Sequence, residues 1–233
     1  MTRTLLITRP ADDARRLATE IRQIDPELVP VVAPVLEIVP VAFEPPGEDY
    51  ELTILTSRHA AQAAAEHFPD LTAWCVGAAT AAAGEALGLA TWSVDGTVED
   101  LLAALAPRKG ARVLHLHGAH SRGALTQRLR AAGVRADDCV VYAQEERPWS
   151  PQERAEIAHA ARMGEVIVPL YSPRSARLLG RRLRDLGIGE TLTLVAISSS
   201  CLEAWSGPAP RRALVAAAPN AEAMKAALAT LRG

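Results

Sequence analysis

Short apolar runs alternate along the chain with longer Ala/Leu/Arg stretches whose apolar residues recur at helical spacing. The runs at 4–8, 52–56, 74–76, 112–117, 166–170, 192–197 and 213–216 predict strands. Helical spacing marks 11–23, 58–67, 80–87, 97–106, 122–132, 151–162, 174–186 and 220–231. Strands separated by helix-length segments imply βαβ units, right-handed crossovers and a parallel sheet covered on both faces. The expected class is α/β.

The pattern also repeats. LLITRPADDARRLATEIR (5–22) resembles VLHLHGAHSRGALTQRLR (113–130): an apolar strand, a polar turn, then an Arg/Leu helix. ILTSRHAAQA (54–63) resembles PLYSPRSARL (169–178) and aligns Ser57 with Ser172. WCVGAATAAAGEAL (74–87) resembles LVAISSSCLEAW (194–205), and DGTVEDLLAAL (95–105) resembles AAPNAEAMKAAL (217–228). The order of the pieces implies a duplicated α/β lobe whose copies draw on different parts of the chain.

Two segments stand apart. APVLEIVP (33–40) and VVYAQEERP (140–148) are β-rich and bounded by proline, which pushes the preceding residue toward extended backbone. They read as strand-like linkers through which the chain leaves the first lobe and returns to it. The first domain is then discontinuous, 1–38 with 146–233, and the second is 41–141. A two-stranded tether permits hinge motion, and a cleft between two lobes is a usual place for a ligand.

Composition narrows the class. Apolar residues make up 49% of the 233, enough for aliphatic cores, while a net charge of −2 argues against a basic nucleic-acid binder. Three distant cysteines point to a reducing, cytoplasmic setting rather than a disulfide scaffold. No apolar run approaches the ~20 residues of a membrane helix, and no long exposed apolar stripe announces a partner, so a monomer is expected. Of the 25 cationic residues all but Lys109 and Lys225 are arginines, a supply of planar forks for carboxylates or phosphates.

Phosphate loop, dinucleotide fingerprint, nucleophile elbow and zinc-ribbon motifs are all absent. His115-x-His117-x-x-His120 puts two imidazoles on one strand face, as a metal site would. The same segment fits the repeat with the histidine-free 5–22 stretch, so it reads as a histidine-rich strand end and no metal is assigned. Ser57, Thr80, Ser172 and Ser198 stand where strands give way to helices, as N-caps would. In a parallel lobe these turns share one edge, and exposed helix N-termini there attract anions. Arg9, Arg58, Arg122 and Arg174 recur at the same turns, with Arg147 at the linker.

LLITRP (5–10), ILTSRHAA (54–61), VGAATAAA (76–83), VVYAQ (140–144), LYSPRSA (170–176), AIS (196–198) and AAAPNAEA (216–223) together resemble the uroporphyrinogen-III synthase family. Each piece is short, and the resemblance lies in their order and spacing across nearly the whole chain. It implies two similar parallel-sheet, roughly flavodoxin-like lobes on a two-stranded linker, with the active-site cleft between them. The implied substrate is hydroxymethylbilane, a linear tetrapyrrole with carboxylate side arms. The enzyme expels its terminal hydroxyl as water, inverts the last pyrrole ring through a spiro intermediate and closes the macrocycle. Such a lyase serves tetrapyrrole (heme, siroheme, chlorophyll or cobalamin) biosynthesis.

The resemblance implies no cofactor, and as a partner only a transient hand-over from the preceding pathway enzyme. Tyr142 matches the linker tyrosine, and its phenol, protonated at neutral pH, suits donation to the departing hydroxyl. Arg9, Ser57, Arg58, Thr80, Arg122, Ser172, Arg174 and Ser198 are the expected carboxylate receptors. Two departures stand out: Ser198 and Cys201 occupy a turn where the family usually shows glycine and threonine, and Ala143 follows the tyrosine in place of threonine. The rival readings are a non-enzymatic small-molecule-binding or sensor protein on the same two lobes, and a phosphate- or nucleotide-using α/β enzyme.

Overall fold

In the computed structural model, which describes residues 2–47, 49–120 and 124–231, the chain opens with β1 (Thr2–Ile7), α1 (Ala11–Ile24) and β2 (Leu28–Val32), then leaves along β3 (Leu36–Pro40). It continues through β4 (Leu52–Leu55), a 3₁₀ turn (Arg58–Ala60), α2 (Ala61–His67), β5 (Thr72–Cys75), α3 (Ala78–Glu85) and β6 (Thr91–Ser93). Next come α4 (Val98–Leu105), β7 (Arg112–Gly118), α5 (Leu125–Ala131) and β8 (Arg135–Glu146). The return leg is α6 (Pro151–Met163), β9 (Gly164–Leu170), α7 (Pro173–Asp185), β10 (Leu192–Ala196), α8 (Ser199–Glu203), β11 (Arg212–Val215) and α9 (Ala221–Ala229). Two compact units result, Met1–Glu37 with Glu146–Gly233, and Ile38–Glu145.

The first unit holds a five-stranded parallel sheet in the order β11-β10-β9-β1-β2. Numbered along the chain within the unit, this is the flavodoxin-like order 2-1-3-4-5. The second unit's sheet runs β3-β8-β7-β4-β5-β6, and counting from β7 its parallel part repeats the same order. Thus β7 answers to β1, β4 to β9 and β5 to β10, which is the pairing of pieces seen in the sequence repeat. The second copy is shifted circularly along the chain.

Neighbouring strand residues bury themselves in opposite cores, as both-faced parallel sheets require. Leu5 and Ile7 pack with Ile167 on one face of the first sheet, and Leu6 packs with Val166 and Val168 on the other. In the second sheet Leu114 and Leu116 face one core, while Val113, Leu52 and Ile54 face the other. Helix α1 shows the matching helical stripe, burying Ala14, Leu17, Ala18 and Ile21 against the sheet. Among the described residues no helix is long and apolar enough to cross a membrane.

Some elements differ from the sequence expectation. Strand β2 is missing from the predicted set because Pro30 interrupts its apolar run; proline is tolerated there because β2 is an edge strand. Strand β6 has only three residues, and α8 only five, too short for a periodic signal. The expected helix 58–67 is a 3₁₀ turn followed by α2. Helix α3 starts at Ala78 with Gly77 as its cap, so Thr80 lies inside the first turn instead of at the cap. Both proline-bounded segments do contain strands. The Val41 amide bonds the Val141 carbonyl at 3.0 Å and the Arg147 amide bonds the Val35 carbonyl at 3.0 Å. Partner numbers rise on one strand as they fall on the other, so β3 and β8 run antiparallel. Strand β8 is also parallel to β7 and reaches 12 residues, starting at Arg135, ahead of the expected linker.

Candidate functional site

A 2-1-3-4-5 sheet opens at its carboxyl edge between its first and third strands, where the chain's winding direction reverses. In the second unit that point lies between β7 and β4, and a cavity of about 270 Å³ sits there, lined by Thr56, Ser57, His115, His117, Gly118 and Tyr142 among others. Tyr142 also lines a second, more apolar cavity of about 570 Å³ with Phe43, His59, His67 and Val141. Its half-buried ring meets the His59 ring edge-on, centroids 5.6 Å apart at 62°. On its other contact it lies against the backbone of Gly118.

Histidines floor the smaller cavity. His115, 5% exposed on β7, has Nε2 3.2 Å from the Thr56 hydroxyl. Burial first, then the neighbouring charge of His117, pushes its pKa down to about 4 against a partial pull from Asp138, so the ring is neutral at pH 7. The His117 ring lies 4.7 Å from it, with Nδ1 2.9 Å from the Gly118 carbonyl and Nε2 3.2 Å from the Asp138 carboxylate. Desolvation would raise Asp138, but hydrogen bonds from His117 and Thr126 and the nearby imidazole charge hold it below its ordinary range. Both imidazoles thus spend ring nitrogens on protein partners.

The predicted receptors among the described residues follow the carboxyl ends of strands in their own units. Ser57 caps the 3₁₀ turn, accepting from the His59 amide at 3.4 Å, and Arg58 begins that turn. Thr80 lies one strand away, after β5, with its amide spent on the Gly77 carbonyl; its side chain is outside the lining of the 270 Å³ cavity. Arg122 lies outside the described residues. In the first unit Arg9, Ser172 and Ser198 follow the adjacent strands β1, β9 and β10. Ser172 caps α7 by accepting from the Ser175 amide at 3.1 Å, and Arg174 is the second residue of that helix. Ser198 makes no cap bond; its hydroxyl lies 3.4 Å from the Cys201 thiol and 3.0 Å from Ser200.

Arg9 is engaged within its own unit. It pairs with buried Asp13 at 2.8 Å and stacks 4.3 Å over the ring of Tyr171, the residue directly after β9. Asp13 holds Arg16 as well, at 2.7 Å. Burial pushes the Tyr171 phenol up, partly offset by Arg9. Arg147 on the linker pairs with Glu153 at 2.9 Å. Sequence reasoning missed His59, Gly118, Asp138 and Tyr171. It weighed His115 and His117 as a metal pair, read them instead as a histidine-rich strand end and gave them no further role; the glycine directly after them was the available signal.

A family model described as uroporphyrinogen-III synthase HemD matches residues 15–226. No curated protein matches in sequence. The chain resembles the crystal structure of uroporphyrinogen-III synthetase from Helicobacter pylori, with 16% identity, a TM-score of 0.65 and 100% of each chain covered. A mutant uroporphyrinogen III synthase from the extremely thermophilic bacterium Thermus thermophilus aligns at 15% identity and a TM-score of 0.46, covering 98% of this chain and 96% of that one.

Proposed function

The chain belongs to the uroporphyrinogen-III synthase family, and from that premise we propose how its residues divide the work of closing hydroxymethylbilane to uroporphyrinogen III. The family match lends no support to a non-enzymatic sensor. The observation that carries the assignment is the seat of Tyr142: one phenol, held by Gly118 and His59, lines both the cavity at the carboxyl edge of the second unit and the apolar cavity beside β3 and α2.

The chemistry asks little of a strong base. Pyrrole nitrogens of the substrate push out the terminal hydroxide, and the unassisted substrate closes to the wrong isomer. The protein must therefore orient the chain and supply a proton to the leaving oxygen. A phenol O–H does the second task without a perturbed partner. The polar turns of each unit, with Ser57, Arg58 and Thr80 on one and Arg9, Ser172, Arg174 and Ser198 on the other, receive the side-arm carboxylates; Arg122 belongs to this set by its place in the sequence. Arg9 contributes with its charge already shared with Asp13, so it shapes its rim more than it grips.

Binding of a polyacid by partly exposed arginines is screened by salt. Arg174→Ala should raise KM by about threefold to tenfold with kcat nearly unchanged, and wild-type KM should climb with ionic strength. Steady-state assays at two salt concentrations read both. A KM indifferent to salt and to Arg174 would remove the carboxylate grip from the account.

A further inference from the structure

The pairing of β7 with β8 keeps one offset from Arg112↔Arg135 to His117↔Val140, then slips so that Gly118 faces Tyr142. Val141 is the extra residue of a one-residue bulge, a device that re-aims a side chain. Its signature is plain in the packing: consecutive residues Val141 and Tyr142 both turn toward the core that holds Leu114 and Leu116, which unbroken strand alternation forbids. The Ala119 amide then bonds the Tyr142 carbonyl at 2.9 Å and fixes the far side of the slip.

Two further features meet at this bulge. A Cβ on residue 118 would fall 2.5 Å from Cε2 and Cζ of Tyr142 and 2.9 Å from its hydroxyl oxygen, so the ring rests where only glycine leaves room. The carbonyl of that glycine accepts from His117 Nδ1 at 2.9 Å, while His117 Nε2 reaches Asp138 on β8 at 3.2 Å. Both partners are acceptors, so each bond takes a ring N–H. His117 thus ties the backbone of β7 at the slip to a side chain of β8.

We propose that Gly118, His117 and Asp138 are positioning residues for Tyr142: the glycine opens the space for the ring, and the His117–Asp138 tie holds the bulge that sets it there. The inference rests on the reading of Tyr142 as proton donor. None of the three is asked to touch the reacting atoms.

The test compares Gly118→Ala, His117→Gln and Asp138→Ala in the wild-type protein and in the Y142F background. In the wild-type background kcat should fall by about tenfold or more with KM little changed. In the Y142F background the same substitutions should cost less than about twofold, because the group they position is already gone. Equal losses in both backgrounds, or none in either, would overturn the proposal. A second readout is independent of turnover. Among the three tyrosines, the ring ¹³C signal absent from Y142F identifies Tyr142, and it should move in Gly118→Ala and Asp138→Ala. An unmoved signal would refute the positioning role. A Y142F enzyme as fast as wild type, with that signal displaced in the variants, would sink the donor reading alone.

Discussion

Tyr142→Phe should lower kcat by about 10²-fold while KM stays within a few-fold. The substitution removes one oxygen and keeps the ring, so the edge contact with His59 and the seat on Gly118 survive. On the proposed role, what is lost is the proton offered to the departing hydroxyl. General acids contribute from about 10² to 10⁴, and the low end applies because the substrate expels its own leaving group with help from the pyrrole nitrogens. Slowed turnover should also leave more substrate to close unaided, so the type I isomer should rise in the product. Stopped assays with isomer separation measure both effects. Unchanged turnover would reduce the tyrosine to a packing residue.

His115 should make the protein lose stability on mild acidification. The unfolded chain titrates this ring at its ordinary 6.5, whereas burial and the His117 charge hold it near 4 in the native state. Above pH 6.5 both states are neutral there and the residue contributes nothing to the pH slope. As pH falls below 6.5 the unfolded chain takes up a proton that the native state refuses, so unfolding gains; below about pH 4 both bind it and the loss levels off. At ~1.4 kcal/mol per unit, the full interval amounts to about 3 kcal/mol, and about 2 kcal/mol of it has gone by ~pH 5. Urea unfolding of wild type and His115→Gln at neutral pH and at ~pH 5 isolates this part from the carboxylates common to both. The variant should lose about 2 kcal/mol less than wild type. Parallel losses would show that His115 is not held neutral.

Much of the fold is written in local pattern. Strands such as β1 and β9 are covered on both faces, so their residues form unbroken apolar runs, and the Leu and Ala stripe of α1 is equally plain. Four aligned pieces even reveal the circular shift between the two units, because strand, turn and helix recur in the same order inside each. Strand β2 hides behind Pro30, whose acceptability depends on being at a sheet edge, a fact of topology rather than of sequence.

The site is less legible for the same reason. Tyr142 and Ser57 can be found from their neighbours along the chain, but the bulge that brings Tyr142 opposite Gly118 is a slip between two strands, and no local pattern announces it. His115 and His117 look alike in the sequence, two apart on one strand, yet burial keeps the first neutral while the second bonds Asp138. Arg9 stands at a strand-to-helix turn like the other expected receptors, and nothing in its neighbours along the chain announces that its charge is held by the buried carboxylate of Asp13 beside the Tyr171 ring.

What joins these parts is the claim that polar groups on the strand ends bend a flexible polyacid and protonate its leaving oxygen before it can close alone. Freshly made hydroxymethylbilane incubated with a catalytic amount of the protein, followed by separation of the uroporphyrin isomers after oxidation, tests this most directly. Type III should dominate, formed faster than type I appears in the protein-free control. A product containing only type I, formed at the control rate, would contradict it.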